Sequence, residues 1–205
     1  MKTQLQKILL ATALGASLLS GCAPLVVGGA VMGGMVAVDR RTSGTQLEDE
    51  NIELKVAHAI NKEMGERVHL NVTSYNRRVL LTGEIRSEAD RSRATLLAQS
   101  QENVSQVVND LAIGAASSLS QRTKDTVTSG QLKAAFVDAK DLQASAVKVV
   151  TERGVVYLMG RVTAREAQRA TDIARGTSGV VKVVKVFEEI SEQELQRLSQ
   201  PPLGR

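Results

Sequence analysis

The 205-residue sequence is poor in the residues that build catalytic and metal sites. It has two histidines, one cysteine, two tyrosines, two phenylalanines and no tryptophan. A zinc site would lack ligands, and His58 and His69 form no Ser-His-Asp pattern beyond chance. The glycine pairs at residues 28–29 and 33–34 are not a phosphate loop, because no Lys-Ser/Thr follows them. The sequence therefore predicts no enzyme, no metal and no dissociable cofactor, and a core of aliphatic side chains.

The single cysteine follows a segment typical of exported proteins. Lys2 and Lys7 precede an apolar run over residues 8–19, and Ser20-Gly21 lead into Cys22. These features describe a signal peptide over residues 1–21. Leu19-Ser20-Gly21-Cys22 is similar to the bacterial lipobox, which implies a diacylglycerol on the Cys22 thiol and an acyl chain on its new amine. One acyl chain holds a protein only marginally at a membrane, whereas several chains give a stable anchor.

Two other interpretations of this region remain open. Cys22 could be an ordinary buried thiol, or residues 5–38 could form a transmembrane helix. A spanning helix needs about 20 continuous apolar residues, and Gly21, Pro24 and the glycine pairs interrupt this run. In Gram-negative lipoproteins an Asp after the cysteine commonly retains the protein at the inner membrane. Ala23 stands there instead, which implies the periplasmic face of the outer membrane.

Charge is unevenly distributed along the chain. Residues 47–113 carry eight Lys/Arg and eleven Asp/Glu, a net charge of −3, whereas residues 114–190 carry twelve and eight, a net charge of +4. An anionic partner is therefore expected to meet the second half. In an exported lipoprotein a phospholipid headgroup fits that role better than nucleic acid. A solvated surface with a chance imbalance is the alternative.

Residues 45–113 and 124–190 are an internal duplication. The matching positions lie 77 residues apart in the hairpin strand and 76 apart afterwards. The aligned pairs are Val79/Val156, Leu81/Leu158, Gly83/Gly160, Ile85/Val162, Ala94/Ala170 and Val104/Val180. Asn103 replaces Gly179, and Asn is the other residue that tolerates the left-handed conformation. Each copy is predicted to be an α+β unit, helix–strand–strand–helix–strand, with a three-stranded mixed sheet covered on one face by two helices.

Local patterns predict where these elements begin and end. We expect a tether over residues 22–44, which leaves the lipid surface at residues 39–42, and then a helix with a capping box from Thr45 to Glu48 and Asp49 as a rival cap. Turns are expected at residues 76–78 and 153–154, third strands at 104–113 and 180–190, a linker at 114–123 and a frayed tail at 191–205. Ser87 and the Thr163–Glu166 pair are expected to cap the second helix of each copy.

The Val-x-Leu-x-Gly-x-Val strand, the alanine-bearing helix and the Gly-Val-x-x-Val-Val segment that leads into the last strand resemble a BON domain. Residues 155–160 are the best match. Two such copies behind a lipobox are similar to the DolP (YraP) family of outer-membrane lipoproteins, over nearly all of the mature chain. This resemblance implies a non-catalytic protein that maintains outer-membrane integrity and is enriched at division sites.

In this family the first helix of the second BON domain is implicated in binding anionic phospholipid. That helix and its lead-in correspond to residues 125–140. The resemblance implies that lipid-binding residues are Lys124, Val127, Leu132, Lys133, Phe136 and Lys140. Apolar groups below the headgroups and ammonium groups at their level suit an interfacial helix. Val127 stands where well-known members have a Trp, and it lacks the amphipathic ring that favours the interface.

Alternative interpretations remain open for these residues and for the function. Leu132 and Phe136 could face the core, and the lysines could be merely solvated. The expected partner is an anionic phospholipid such as phosphatidylglycerol. The alternative is an adaptor that supports outer-membrane assembly proteins through exposed sheet edges or the acidic first domain.

Overall fold

The computed structural model describes residues 39–65 and 68–199. The predicted signal peptide, the lipidation site Cys22 and the tether up to residue 38 lie outside the described residues, as do residues 200–205. Apart from residues 66 and 67, both predicted repeats lie within the described part, and they belong to one compact unit.

Each repeat contains two helices and one sheet. The first consists of α1 (Ser43–Met64), β1 (Val68–Tyr75), β2 (Arg78–Ile85), α2 (Glu88–Gln99), β3 (Gln106–Asn109) and β4 (Ala112–Ile113). The second consists of α3 (Leu119–Asp138), a 3-10 turn (Ala144–Ala146), β5 (Lys148–Glu152), β6 (Val155–Val162), α4 (Ala164–Gly176) and β7 (Lys182–Glu189). Helix α5 (Glu192–Ser199) follows.

Both sheets are mixed, as predicted. β2 pairs antiparallel with β1 and parallel with β3 and β4, and β6 pairs antiparallel with β5 and parallel with β7. The third strand of the first repeat is interrupted where Asn109 Oδ1 accepts a hydrogen bond from the Leu111 amide at 3.0 Å. That break buries Leu111 in the first core. The α+β fold class and the order of elements are confirmed.

Two predicted boundaries are wrong. Helix α1 begins at Ser43 because Thr42 is the N-cap, its Oγ1 accepting from the Thr45 amide at 3.1 Å. Helix α3 begins at Leu119, inside the segment predicted to be a linker, with Ser118 as its N-cap. Both caps are Ser/Thr residues, but the low apolar content around them concealed the helix starts.

The C-terminal segment is also more ordered than predicted. Residues 192–199 form α5, and Arg161 Nη2 donates to Glu194 Oε1 at 2.6 Å. This ion pair holds the helix against β6, so the expectation of a frayed tail is wrong for these residues.

Several local predictions are confirmed. Ser87 Oγ accepts from the Asp90 amide at 3.1 Å, and Thr163 with Glu166 forms the predicted capping box. Asn103 and Gly179 adopt left-handed conformations, with φ of 67° and 86°. The substitution of Asn for Gly between the repeats thus preserves one backbone conformation.

A carboxylate on the first helix of each repeat binds the hairpin turn beneath it. Asp49 accepts from the amides of Asn76 and Arg77, both at 2.8 Å. Asp125 accepts from the amides of Arg153 and Gly154, both at 2.9 Å. Both turns have positive φ at their two central residues, so their amides point together toward one acceptor. Asp49 is therefore a buried structural anchor and not the rival helix cap.

The structure has three apolar layers. One core lies between α1, α2 and the first sheet, and a second lies between α3, α4 and the second sheet. The opposite faces of the two sheets pack against each other. The buried members of this middle layer are Tyr75, Leu80, Tyr157, Met159 and Val186. The two domains are therefore joined through their sheets, which leaves their helices on the outside.

Polar contacts surround the middle layer. Tyr157 Oη donates to Asp110 Oδ2 at 2.7 Å, and Asn71 Nδ2 donates to Glu152 Oε2 at 2.9 Å. Burial, followed by the hydrogen bond to Asp110 and then the charge of that carboxylate, raises the pKa of Tyr157. The phenol therefore remains a donor to this carboxylate throughout the physiological pH range.

The arginines at residues 40 and 41 bind both domains, although residues 39–42 were expected to enter water. Arg40 makes a bidentate contact with Glu166, with N–O distances of 2.7 and 2.8 Å, and both side chains are buried. Arg41 donates to Asp49 Oδ2 at 2.8 Å and lies 4.1 Å from the ring centroid of Tyr75. We call Arg40 and Arg41 the arginine clamp. It fixes the end of the tether at the domain junction.

Gly83→Ala should destabilise the protein strongly. The backbone at Gly83 has φ of +115°, and a Cβ would lie 2.0 Å from the His69 carbonyl oxygen. Backbone strain and the steric clash should lower the free energy of unfolding by about 2–4 kcal/mol in urea titrations. Gly130→Ala is the control, because open space surrounds this helical glycine and the change should stabilise by up to about 1 kcal/mol. Equal effects would contradict the assigned role of Gly83.

Arg40→Met should cost about 3–5 kcal/mol of unfolding free energy at pH 7, because it leaves a buried carboxylate without its counter-charge. Burial alone would raise the pKa of Glu166, but hydrogen bonds from Arg40 and Thr163 outweigh it and lower that pKa. The stabilisation is therefore complete above the unfolded glutamate pKa of about 4.3 and is lost as pH falls through the folded value.

The control is Arg93→Met, which breaks an exposed pair with Glu63 and should have little effect, since solvent screens exposed ion pairs. Denaturant titrations at pH 7 and at acidic pH measure both differences. A deficit in Arg40→Met that did not shrink with acidification would refute the ion-pair account.

Candidate functional site

The inward side of α3 belongs to the second core. Its buried residues are Asp125, Thr128, Leu132 and Phe136, spaced three or four apart on one side of the helix. Leu132 and Phe136 are almost fully buried and pack against the sheet. Their assignment as lipid-binding residues is therefore wrong, because neither side chain can reach a membrane while the domain is folded.

The outward side of α3 carries a second apolar stripe. We call Leu119, Val127, Ala134 and Val137 the α3 outer face. Leu119 is 80% exposed, Val127 53% and Val137 73%, and Ala134 is also exposed. Helical periodicity puts these four residues on one side of the helix, opposite Leu132 and Phe136. Of the predicted apolar contacts, only Val127 is accessible.

Sequence reasoning missed Leu119 and Val137 for separate reasons. Leu119 was assigned to a linker. Val137 follows Phe136 directly, and the helix register, which decides which of the two is buried, was fixed by no nearby signal. Once the helix is known to begin at residue 119, the spacing of residues 119, 127, 134 and 137 indicates that they share one side of it.

Three predicted lysines remain accessible. Lys124, Lys133 and Lys140 are all exposed, and within the described residues no ion pair involves them. Helical periodicity places Lys124 and Lys133 at opposite edges of the α3 outer face, and Lys140 follows the C-terminal end of the helix. Cations thus flank an exposed apolar stripe.

A groove of about 470 Å³ adjoins the N-terminal half of α3. We call it the α3 groove. Its walls are α3, the turn between β5 and β6, and the loop before β7, and its lining includes Lys124, Val127, Arg153, Ser178 and Val181. Val181 is 82% exposed at its rim. Gly179 allows the loop before β7 to approach α3 closely, since a Cβ at this residue would lie 2.6 Å from Thr128 Oγ1.

The charged side chains that line this groove are two cations and one carboxylate whose oxygens are occupied by hydrogen bonds. Asp125 is buried, and its oxygens accept from the turn amides and from Gln121 Nε2 at 3.1 Å. Lys124 and Arg153 are left facing the open space. The groove therefore favours an anionic ligand.

The histidines contribute no recognisable catalytic group. His58 is exposed on α1, and His69 Nδ1 lies 2.8 Å from Glu84 Oε2 near the domain junction. Burial, followed by the charge of Glu84, raises the pKa of neighbouring Glu152.

Within residues 39–65 and 68–199, no group of three His, Cys, Asp or Glu is arranged to hold a metal. In the same part of the chain, no helix has the length and apolarity that crossing a bilayer requires.

Comparison with protein families matches the BON domain twice, at residues 48–115 and 124–189. Over 183 residues the chain is 42% identical to the outer membrane lipoprotein DolP of Haemophilus influenzae, covering 87% of this chain and 94% of that protein. It is 33% identical to the 21 kDa hemolysin of Actinobacillus pleuropneumoniae, covering 75% of this chain and 80% of that protein.

Likeness to solved structures is weaker. CdsD, a structural protein of the type III secretion system of Chlamydia trachomatis, is 13% identical with a TM-score of 0.30. The alignment covers 75% of this chain and 100% of that one. A score this low supports no functional inference.

Substitutions at the neighbouring residues Phe136 and Val137 should change the free energy of unfolding by very different amounts. Phe136→Ala should lower the free energy of unfolding by about 3–5 kcal/mol, because it leaves a cavity in the second core. Val137→Ser should change it by less than about 0.5 kcal/mol, since the side chain is exposed. Urea unfolding of both variants measures the contrast. A large loss in Val137→Ser would mean that the two faces of α3 are wrongly assigned.

Proposed function

Because this chain belongs to the BON-domain family, and within it to the family of the lipoprotein DolP, we propose that it is an outer-membrane lipoprotein that binds anionic phospholipid through its second domain. Acyl chains on Cys22 would anchor it at the periplasmic face. The protein is not an enzyme in this proposal. Its role is to maintain outer-membrane integrity, with enrichment at division sites.

The observation that carries the proposal is the α3 outer face. Leu119, Val127 and Val137 are exposed although they are apolar, and lysines border them. A helix at a membrane interface needs this arrangement, with apolar side chains below the headgroups and ammonium groups at their level. Each lysine near an anionic surface contributes about 1 kcal/mol, and each fully buried Leu or Val about 1.5–3 kcal/mol.

The same face explains how a chain without tryptophan could engage lipid. Family resemblance leads us to expect an aromatic ring at position 127, where this chain has valine. Leu119 and Val137 extend the apolar stripe toward both ends of the helix. Three aliphatic side chains thereby replace the single amphipathic ring.

Anchoring then depends on two signals with separate tasks. The acyl chains supply most of the affinity and keep the protein on one membrane. Salt-sensitive contacts by α3 select regions rich in anionic lipid, since exposed charges are screened within about 8 Å at physiological ionic strength.

An adaptor function is the second candidate. Leu47 and Leu54 are 60% and 70% exposed on α1, and they lie on one side of that helix seven residues apart. The first repeat also carries the net negative charge. These features favour a protein-binding surface on α1, separate from the α3 outer face, that could bind outer-membrane assembly proteins.

Vesicle co-sedimentation distinguishes the two candidates. The protein is used from residue 22 onward with Cys22→Ser, so that no acyl chain contributes. We expect binding to vesicles containing phosphatidylglycerol, weakened by salt, and little binding to zwitterionic vesicles. Leu119→Ser combined with Val137→Ser should reduce the binding at least tenfold, because two apolar insertions are lost.

The matched control is Leu47→Ser combined with Leu54→Ser on α1, which should bind as the parent does. Circular dichroism confirms that both double variants are folded. If the parent ignores both vesicle types, the lipid-binding proposal is wrong and the adaptor candidate gains support. If only the α1 variant loses binding, the assignment of the lipid contact to the second domain is wrong.

A further inference from the structure

Arg153 is the only residue of the α3 groove with a described ion pair to the other domain. Its Nη1 lies 3.7 Å from Glu84 Oε1, across the junction from the β5–β6 turn to β2. The Glu84 side chain is 1% exposed, whereas that of Arg153 is 46% exposed. One end of the guanidinium therefore approaches a fixed buried charge while the remainder faces the groove.

We infer that the α3 groove is a subsite for the phosphodiester headgroup of an anionic phospholipid, and that Glu84 of the first domain positions the Arg153 that recognises it. This inference rests on the proposed function and adds a headgroup contact to it. Glu84 is a positioning residue, because it acts only through Arg153.

The lining of the groove suits a phosphodiester. Arg153 and Lys124 supply two cations from different walls, and a guanidinium can hold two phosphate oxygens at once. Ser178, Gln121 and Gln131 supply neutral donors and acceptors for the polyol part of a headgroup. The volume of about 470 Å³ falls in the usual range for small-molecule sites.

The α3 groove is continuous with the α3 outer face. Val127 belongs to both the groove and the α3 outer face, so acyl chains beneath that face would leave their headgroup at the groove mouth. This continuity favours a phospholipid over a free anion, which would gain nothing from the apolar stripe.

Glu84 is held in a way that suits positioning. Its Oε2 lies 2.8 Å from His69 Nδ1, while its buried Oε1 accepts no hydrogen bond from any described residue. The Arg153 guanidinium is the positive group beside that oxygen. With five N–H donors, arginine can face Glu84 and a phosphate together. The lipid site of the second domain would then depend on docking of the first.

The test measures headgroup preference at constant surface charge. The Cys22→Ser protein from residue 22 is titrated with two vesicle types of equal surface potential, one charged by phosphatidylglycerol and the other by the carboxylate of oleate. The α3 outer face alone would not distinguish them. We expect about tenfold tighter binding to phosphatidylglycerol, corresponding to one charged hydrogen bond.

Arg153→Asn and Glu84→Gln should each abolish this preference while binding to oleate vesicles persists. Asn suits the positive φ at position 153, and Gln nearly preserves the volume of Glu84. Lys133→Gln is the control outside the groove and should weaken both bindings equally. Thermal unfolding monitors the fold of each variant.

The outcomes separate the inference from the proposed function. Binding to neither vesicle type defeats the lipid-binding function itself. Equal binding to both types by the parent, or a preference that survives Arg153→Asn, refutes the headgroup subsite alone. If Glu84→Gln retains the preference that Arg153→Asn loses, Glu84 has no positioning role.

Soluble competitors identify the source of the phosphate. Glycerophosphoglycerol should displace the protein from phosphatidylglycerol vesicles more effectively than inorganic phosphate at equal concentration and ionic strength. Equal displacement would show that the groove recognises free phosphate, which overturns its assignment to a lipid headgroup.

Discussion

The packing of the two sheets against each other determines which surfaces of the protein remain exposed for binding. A three-stranded sheet with helices on one face leaves its other face apolar, and here each sheet covers the other through Tyr75, Leu80, Tyr157, Met159 and Val186. Because both sheet faces are occupied, helices form the remaining broad surfaces. Exposed apolar residues on α3 are therefore available at the exterior without weakening either core.

The duplicated scaffold supports different surfaces on equivalent helices. Asp49 and Asp125 fasten the hairpin turns in the same way in both repeats, and Gly83 and Gly160 permit equivalent close backbone contacts. The side chains facing outward are not constrained by these contacts. The first helix of the second repeat can thus carry a lysine-bordered apolar stripe, while its counterpart in the first repeat has different residues at those positions.

Local signals predicted the fold well and the site only in part. The glycine-bearing strands, the Thr163–Glu166 capping box and the left-handed Asn103 depend on neighbouring residues, so the sequence reveals them directly. Burial of Phe136 and exposure of Val137 depend on the rotation of α3 over its sheet, which is set by contacts distant in sequence. The Arg40–Glu166 pair is 126 residues apart, and no local pattern indicates it.

The arginine clamp also determines where a force along the segment from Cys22 would reach the two domains. Arg40 lies at the end of the chain segment that leads to Cys22, and its side chain is held by Glu166 in the second domain while neighbouring Arg41 is held by Asp49 in the first. A force transmitted along that segment would therefore be shared between both domains at their junction. It would have to break the Arg40–Glu166 and Arg41–Asp49 ion pairs before it reached the first turn of α1.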